Sequence, residues 1–170
     1  MIYLVGFMGS GKTSIGKALS DRIKWEFIDT DKIIENKKGQ SITSIFSEYG
    51  EEIFRKYELE TLQEIQNKKK VIIATGGGLP INNNSIHIMN KTGITIYLKC
   101  TFNMLFKRLK KNKITRPIIR NLSNNELQKF IQQELNNREK YYKKAKYIIE
   151  IENLNTEDIL SKINSLIFRR

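Results

Sequence analysis

A glycine-rich turn near the amino terminus constrains the fold of this 170-residue chain more than any other feature. The turn follows the apolar run Ile2-Tyr3-Leu4-Val5 and fits the pattern G-x-x-x-x-G-K-S/T with the residues Gly6-Phe7-Met8-Gly9-Ser10-Gly11-Lys12-Thr13. In such a unit a buried strand ends, backbone N–H groups turn inward toward an anion, and a helix begins near Lys12. Lys12 would then reach the β- and γ-phosphates of a nucleotide, and Thr13 would offer its hydroxyl to Mg²⁺. The alternative is an ordinary glycine-rich turn with a surface lysine.

Apolar runs alternate with longer helical patterns along the rest of the chain, which is typical of a parallel sheet covered by helices on both faces. The predicted strands are Ile2–Val5, Glu26–Ile28, Val71–Ala74, Ile94–Leu98 and Tyr147–Ile151. The predicted helices are Ser14–Ile23, Lys32–Lys37, a helix capped by Ser41, Glu51–Gln66, Phe102–Leu109, Asn125–Tyr142 and Asp158–Phe168. We therefore predict an α/β fold with a central five-stranded parallel sheet.

The length allows one domain with a sizeable core, so any second substrate must be recognised by insertions between the strands. No stretch approaches the ~20 apolar residues of a membrane span, and the amino terminus enters a strand without a signal-like segment. The single cysteine, Cys100, excludes an internal disulfide framework. We expect a cytoplasmic, monomeric protein that does not bind a membrane.

The formal net charge of +12 is concentrated in one region. Residues 99–146 hold ten Lys and four Arg against three Glu, a local balance of +11. This charge fits either a nucleic-acid footprint or an electropositive cleft for small anions such as ATP. Aromatic residues do not interleave with the basic ones in the strand-like pattern that would offer stacking platforms, so the pattern disfavours nucleic-acid binding.

Two carboxylates follow the second predicted strand, in the sequence Phe27-Ile28-Asp29-Thr30-Asp31. If this segment is extended, Asp29 and Asp31 share one face at the carboxyl edge of the sheet, where open α/β sheets bind ligands. One carboxylate could hold the water shell of Mg²⁺, and the other could bind or deprotonate an acceptor hydroxyl. Helix capping by either residue is the alternative.

The sequence Thr75-Gly76-Gly77-Gly78 directly follows the third predicted strand. Three glycines leave the backbone uncovered, so that a ligand can approach consecutive N–H groups closely. The alternative is a flexible turn, but the position of these glycines at the carboxyl end of a strand favours a ligand-binding site. A further segment, Lys110–Ser123, has no clean period, and we expect a mobile loop there.

Together these features resemble the shikimate kinase family. The resemblance rests on the phosphate loop, Asp29-Thr30-Asp31, Phe54-Arg55, Gly76–Gly78 and Arg116-Pro117 in a late loop. It implies a P-loop NTPase of the nucleoside-monophosphate-kinase type, with residues 1–170 forming a single kinase domain. Within it, a substrate-binding helical insertion would span about residues 31–62 and a lid about residues 110–123. The implied reaction transfers the γ-phosphoryl group of ATP to the 3-hydroxyl of shikimate, with Mg²⁺ as cofactor, in aromatic amino-acid biosynthesis.

The resemblance also implies roles for individual residues. ATP would contact Gly9, Ser10, Gly11, Lys12, Thr13, Ser14, Arg108 and Arg116, with Arg108 against the adenine. Shikimate would contact Asp31, Arg55, Gly76, Gly77, Gly78 and Arg138, with Arg55 and Arg138 gripping its carboxylate. The metal would lie near Thr13 and Asp29, and the catalytic residues would be Lys12, Asp31 and Arg116.

The residues are consistent with these roles, since arginine forks bind carboxylates bidentately, and Glu58 lies three residues after Arg55 on the same predicted helix. Arg138 alone could instead be a solvated residue that pairs with Glu134. The remaining alternatives are a small P-loop kinase acting on gluconate or a nucleoside monophosphate, and a basic nucleic-acid-binding module without enzymatic activity.

Overall fold

The structure, a computed structural model, describes residues 1–82 and 84–168, apart from the side chains of Thr115 and Pro117. Its centre is a sheet of five strands, each at a position where the sequence predicts one. They are β1 (Ile2–Val5), β2 (Glu26–Asp29), β3 (Val71–Ala74), β4 (Ile94–Lys99) and β5 (Tyr147–Glu150). All neighbouring strands are parallel, in the order β2-β3-β1-β4-β5.

The central strands are apolar throughout because helices cover both faces of the sheet. Every residue of β1 and β3 is buried. In register, Leu4 of β1 lies opposite Ala74 of β3, which in turn lies opposite Asp29 of β2. The segments that leave these three strands therefore begin side by side at one edge of the sheet.

Seven helices pack around the sheet within the described ranges. They are α1 (Lys12–Ile23), α2 (Thr30–Lys38), α3 (Ile42–Ile65), α4 (Ser85–Thr92), α5 (Phe102–Lys111), α6 (Asn124–Tyr142) and α7 (Thr156–Ile167). The start of α6 is set by a capping box in which Ser123 and Glu126 each bond the other's backbone N–H. Asn155 and Asp158 form the same arrangement at α7.

The region of the predicted substrate-binding insertion has its own small core. Helix α3 is interrupted at Gly50, whose φ of 78° and ψ of 175° are not helical. Ile34 of α2 and Ile45 and Phe54 of α3 form a buried apolar cluster separate from the main core. This cluster fixes the second half of α3 and with it the position of Arg55.

The structure corrects one expectation about local structure and refines a second. Helix α2 begins at Thr30, not Lys32, so Asp31 belongs to a helix and not to an extended segment. The segment Lys110–Ser123 is not without regular structure: α5 continues to Lys111, and 3₁₀ turns form over Lys113–Thr115 and Pro117–Ile119. Such short turns have no amphipathic period to reveal them. Ile119, which is fully buried in the main core, anchors the segment.

No helix in the described part of the chain is both long enough and apolar enough to cross a lipid bilayer.

Candidate active site

Two adjoining pockets lie at the carboxyl edge of the sheet. The first, of about 660 Å³, is formed by the glycine-rich loop, Arg108 and the start of α7, and we call it the loop pocket. The second, of about 540 Å³, is formed by α2, α3, the Gly76–Gly78 segment and Arg138, and we call it the arginine pocket. The residues that line both pockets are Met8, Asp29, Asp31, Gly77 and Arg116. Every site residue predicted from the sequence lines one pocket or both.

The glycine-rich loop surrounds a buried lysine. The Nζ atom of Lys12 donates hydrogen bonds to the carbonyl oxygens of Gly6 and Phe7, at 2.8 and 2.9 Å. Burial lowers the pKa of Lys12 to about 8, although the negative charge of Asp31 acts in the opposite direction. An anion in the loop pocket would stabilise the charged form of this lysine.

Arg108 supports the same loop from α5. Its Nη1 donates to the carbonyl oxygen of Gly9 at 3.1 Å and lies 4.0 Å from the sulfur of Cys100. Ser14 is exposed in the first turn of α1, at the wall of the loop pocket. The contact of Arg108 with a nucleotide base stays a prediction.

Thr13 and Asp29 form an oxygen-rich pair at the floor of the loop pocket. The hydroxyl of Thr13 donates to Oδ2 of Asp29 at 2.8 Å, and Oδ1 of Asp29 accepts from the backbone N–H of Asp31 at 3.1 Å. Asp29 thus caps α2, as the alternative interpretation had it, and the cap holds its carboxylate toward Thr13. Asp31 comes near the loop because it lies in the first turn of that capped helix.

Asp31 stands where the two pockets meet. Burial, together with the negative charge of Asp29, raises its pKa to about 6. Its Oδ1 atom is shielded from solvent and has no hydrogen-bond partner among the described residues. A buried carboxylate oxygen without a partner is costly, and a bound hydroxyl would relieve that cost.

The Gly76–Gly78 segment needs glycine because charged side chains lie against its backbone. A Cβ atom on Gly76 would lie 2.6 Å from Oδ1 of Asp31 and 2.7 Å from Oε1 of Glu58. On Gly78 it would lie only 2.0 Å from Nη1 of Arg55. These close approaches favour a site over a merely flexible turn.

Two residues that sequence reasoning missed hold the same segment in place. The N–H of Gly76 donates to the hydroxyl of buried Thr30 at 2.9 Å, and the hydroxyl of Tyr142 donates to the carbonyl oxygen of Gly77 at 2.6 Å. Thr30 lies inside the Asp29-Thr30-Asp31 motif, where only the two aspartates were given roles, and the contact from Tyr142 spans 65 residues of sequence. No local signal in the sequence could have identified Tyr142.

Arg55 is held by carboxylates on its own helix. Its Nη1 donates to Oε2 of Glu58 at 2.6 Å, as the spacing predicts, and its Nη2 donates to Oε1 of Glu51 at 2.6 Å. The amide of Asn82 donates to the Arg55 carbonyl oxygen at 2.6 Å. Burial raises the pKa of Glu58 to about 7 in spite of the neighbouring Arg55, and Oε1 of Glu58 has no partner among the described residues.

Arg138 reaches the arginine pocket from α6. Its guanidinium forms an ion pair with Glu134 and lies 5.7 Å from the centre of the Phe7 ring. A Cβ atom on Gly77 would be 3.7 Å from its Nη1. Arg138 is therefore not a solvated surface residue, although the pairing with Glu134 does form.

Arg116, in the segment predicted to be a lid, lies at the junction of the pockets. Burial lowers its pKa, and the negative charge of Asp31 opposes that effect. Its Nε atom is buried and finds no partner in the described part of the chain. A guanidinium with an unused donor beside Asp31 could bind an anion transferred between the two pockets.

The sequence matches one known family over nearly the whole chain. The family model for shikimate kinase matches residues 8–167. The shikimate kinase of Azobacteroides pseudotrichonymphae genomovar. CFP2 is 40% identical over 163 residues, which cover 95% of this chain and 96% of that protein.

Solved structures agree. The 1.7 Å crystal structure of shikimate kinase from Bacteroides thetaiotaomicron superposes with a TM-score of 0.93 at 36% identity, covering 98% of this chain and 97% of that one. Shikimate kinase from Acinetobacter baumannii in complex with shikimate gives a TM-score of 0.90 at 34% identity, covering 99% and 92% of the two chains.

The buried carboxylate of Glu58 predicts a pH-dependent stability. Because its pKa rises from 4.5 to about 7 on folding, its contribution is fully present below pH 4.5 and is lost as the pH rises through 7. Relative to Glu58→Gln, the wild type should therefore lose up to about 3 kcal/mol of unfolding free energy between about pH 5 and pH 8. Urea unfolding of both proteins across this range measures the difference.

Glu52→Gln is the matched control, because Glu52 is an exposed residue of the same helix, paired with Lys56. The difference in unfolding free energy between Glu52→Gln and the wild type should stay the same across this pH range. A pH-independent difference for Glu58→Gln as well would contradict the prediction.

Proposed function

The chain belongs to the shikimate kinase family, and we propose that it uses the two joined pockets to transfer the γ-phosphoryl group of ATP to the 3-hydroxyl of shikimate. The observation that carries this proposal is the meeting of the pockets at Asp31 and Arg116, with a phosphate loop on one side and two arginines on the other. A phosphoryl group can pass between two substrates only if both lie in line at such a junction.

ATP occupies the loop pocket in this proposal. Its phosphates accept hydrogen bonds from the backbone of Gly9–Thr13 at the amino-terminal end of α1, whose dipole favours an anion. Lys12 exchanges its two carbonyl partners for phosphate oxygens. Ser14 and Arg108 line the pocket around the nucleotide.

We propose Thr13 and Asp29 as the residues that hold Mg²⁺. They supply a hydroxyl and a carboxylate oxygen, the hard donors that Mg²⁺ prefers. Among residues 1–82 and 84–168 no cluster of three His, Cys, Asp or Glu side chains could hold a metal alone. This fits an ion bound through one or two protein groups together with phosphates and water. Bound there, Mg²⁺ would neutralise phosphate charge.

Shikimate occupies the arginine pocket, with its carboxylate bound by Arg55 and Arg138. Guanidinium forks match the geometry of a carboxylate, and Glu58 keeps Arg55 in position beside Gly78. The shikimate hydroxyls then point toward Asp31, whose unpartnered Oδ1 can accept the proton of the attacking hydroxyl. With a pKa of about 6, Asp31 is largely ionised at neutral pH and able to act as the base.

Arg116 stabilises the charge on the transferring phosphoryl group. It lines both pockets, and in this proposal its segment acts as a lid over their junction. We propose that the enzyme works as a monomer in the cytoplasm, where ATP and Mg²⁺ are available.

The acceptor is tested by ADP release from purified protein with ATP and Mg²⁺. Shikimate should stimulate ADP release far above the background ATPase rate, whereas gluconate, AMP and GMP should not, because they lack the ring geometry that joins Asp31 to the paired arginines. Equal stimulation by every acceptor, or by none, would exclude the proposed reaction.

Gly78→Ala tests the placement of Arg55. The new methyl group would overlap Nη1 of Arg55 at 2.0 Å, so the guanidinium must move. We expect the KM for shikimate to rise about tenfold or more, as for the loss of a charge-assisted hydrogen bond, and the KM for ATP to stay near wild type. Gly77→Ala, whose methyl group would meet neighbours no closer than 3.5 Å, should have a smaller effect. Equal effects of both variants would rule out the steric explanation.

Arg116→Ala tests the lid. An arginine that acts mainly in the transition state changes kcat more than binding, by about 10³-fold or more in comparable phosphoryl transfers. We expect that loss of kcat in steady-state assays, with a shikimate Kd within a few-fold of wild type. If kcat holds and only shikimate affinity falls, Arg116 is an acceptor contact and not a transition-state residue.

A further inference from the structure

Each arginine proposed to bind the acceptor carboxylate already holds a carboxylate of its own chain. Arg55 is paired with Glu51, and Arg138 with Glu134, in both cases four residues earlier on the same helix. The substrate therefore meets guanidinium groups whose charge is partly neutralised.

The two pairs differ in their contact with water. The Glu51 side chain is 65% exposed, whereas Glu134 and Arg138 are only 25% and 15% exposed. Solvent screens an exposed pair strongly and a partly buried pair much less. Arg55 also keeps a second, buried carboxylate in Glu58 whether or not Glu51 is present. Glu134 is therefore the carboxylate whose charge has the larger effect on the site.

Glu134 approaches Arg138 from outside the arginine pocket. A third cavity, of about 520 Å³, is lined by Glu51, Glu134 and Tyr141 and also by Arg55 and Arg138. We call it the outer pocket. The arginine pocket is lined by the same two arginines, but neither Glu51 nor Glu134 forms its wall. The guanidinium of Arg138 thus stands between Glu134 and the space for the substrate, whereas Arg55 also has Glu58 as a partner on the side of the arginine pocket.

We propose that Glu134 is a built-in counter-ion that weakens the binding of the substrate carboxylate to Arg138 and so sets the affinity of the enzyme for shikimate. This inference rests on the proposed function, since it takes Arg138 as a carboxylate contact. Two carboxylates on opposite sides of one guanidinium repel each other, and each reduces the attraction that the other experiences. The same contact orients Arg138, so charge and orientation must be separated experimentally.

Glu134→Gln makes that separation, because glutamine keeps an oxygen that accepts from Arg138 but carries no charge. We expect the shikimate Kd, measured by calorimetry without nucleotide, to fall about three- to tenfold, the effect of a partly screened charge. The Kd of methyl shikimate, which keeps the ring and hydroxyls but lacks the negative charge, should not change. An unchanged or higher shikimate Kd would overturn the proposal, as would an equal gain for the ester.

Glu139→Gln is the matched control. Glu139 lies on the same helix and pairs with Lys143 at 2.9 Å. Its replacement by glutamine therefore also removes one negative charge, but not one that is paired with Arg138. Both Kd values should stay at the wild-type level in this variant. A shikimate Kd that falls as far as in Glu134→Gln would mean that net charge alone is responsible, which overturns the proposal.

A double-mutant cycle with Arg138→Leu distinguishes this inference from the function beneath it. If Arg138→Leu raises the shikimate Kd and abolishes the gain from Glu134→Gln, the counter-ion role is supported. If the gain persists without Arg138, the counter-ion role is wrong but the carboxylate contact stands. If Arg138→Leu leaves the shikimate Kd unchanged, the proposed placement of the substrate fails, and the inference fails with it. An unchanged ATP Kd verifies that each variant is folded.

Discussion

The parallel pairing of β1, β3 and β2 is the constraint on which the site depends. Because Leu4, Ala74 and Asp29 lie in register across these strands, the segments that follow them begin at the same level of one sheet edge. The phosphate loop, the capped start of α2 and the Gly76–Gly78 segment are thus neighbours, although some 70 residues separate the first from the last. A shift in register of one residue would reverse the faces of a strand and separate the three segments.

This convergence brings unlike charges together at the buried junction, and their pKa values reflect the cost of burying charge. Burial lowers the pKa of Lys12 to about 8 and raises those of Asp31 and Glu58 to about 6 and 7. In each case burial disfavours the charged form compared with the same group in water. An anionic ligand would favour the charged form of Lys12, and a hydrogen-bond donor would favour the charged forms of Asp31 and Glu58. The junction therefore combines a lysine whose charge an anionic phosphate would stabilise with an aspartate whose charge a substrate hydroxyl would stabilise.

The sequence was sufficient for the features that depend on local pattern. Five apolar runs predict the five strands, and the phosphate-loop motif and the glycines after Ala74 identify two of the three segments at the sheet edge. It was not sufficient where tertiary contacts decide. Helix α2 starts at Thr30 because Asp29 caps it, and the hydroxyl of Thr30 is then used by Gly76, a partner 46 residues away. The 3₁₀ turns within residues 110–123 accompany the burial of Ile119 in the main core, which no periodicity in the segment records.

The structure also divides the charge of the basic region, residues 99–146, between the site and the surface. Of its four arginines, Arg108, Arg116 and Arg138 line the two pockets, and Arg120 is exposed, as are most of its lysines. The arginines thus supply fixed forks at the site, while the lysines contribute a diffuse positive field on the surface around it. Such a field raises the local concentration of small anions and speeds their encounter with the cleft, an effect that salt screens.

Glu134 acts in the opposite sense at short range, because it reduces the positive charge available at one fork. With this role for Glu134, the long-range attraction of anions and the short-range affinity of the site are set by different residues.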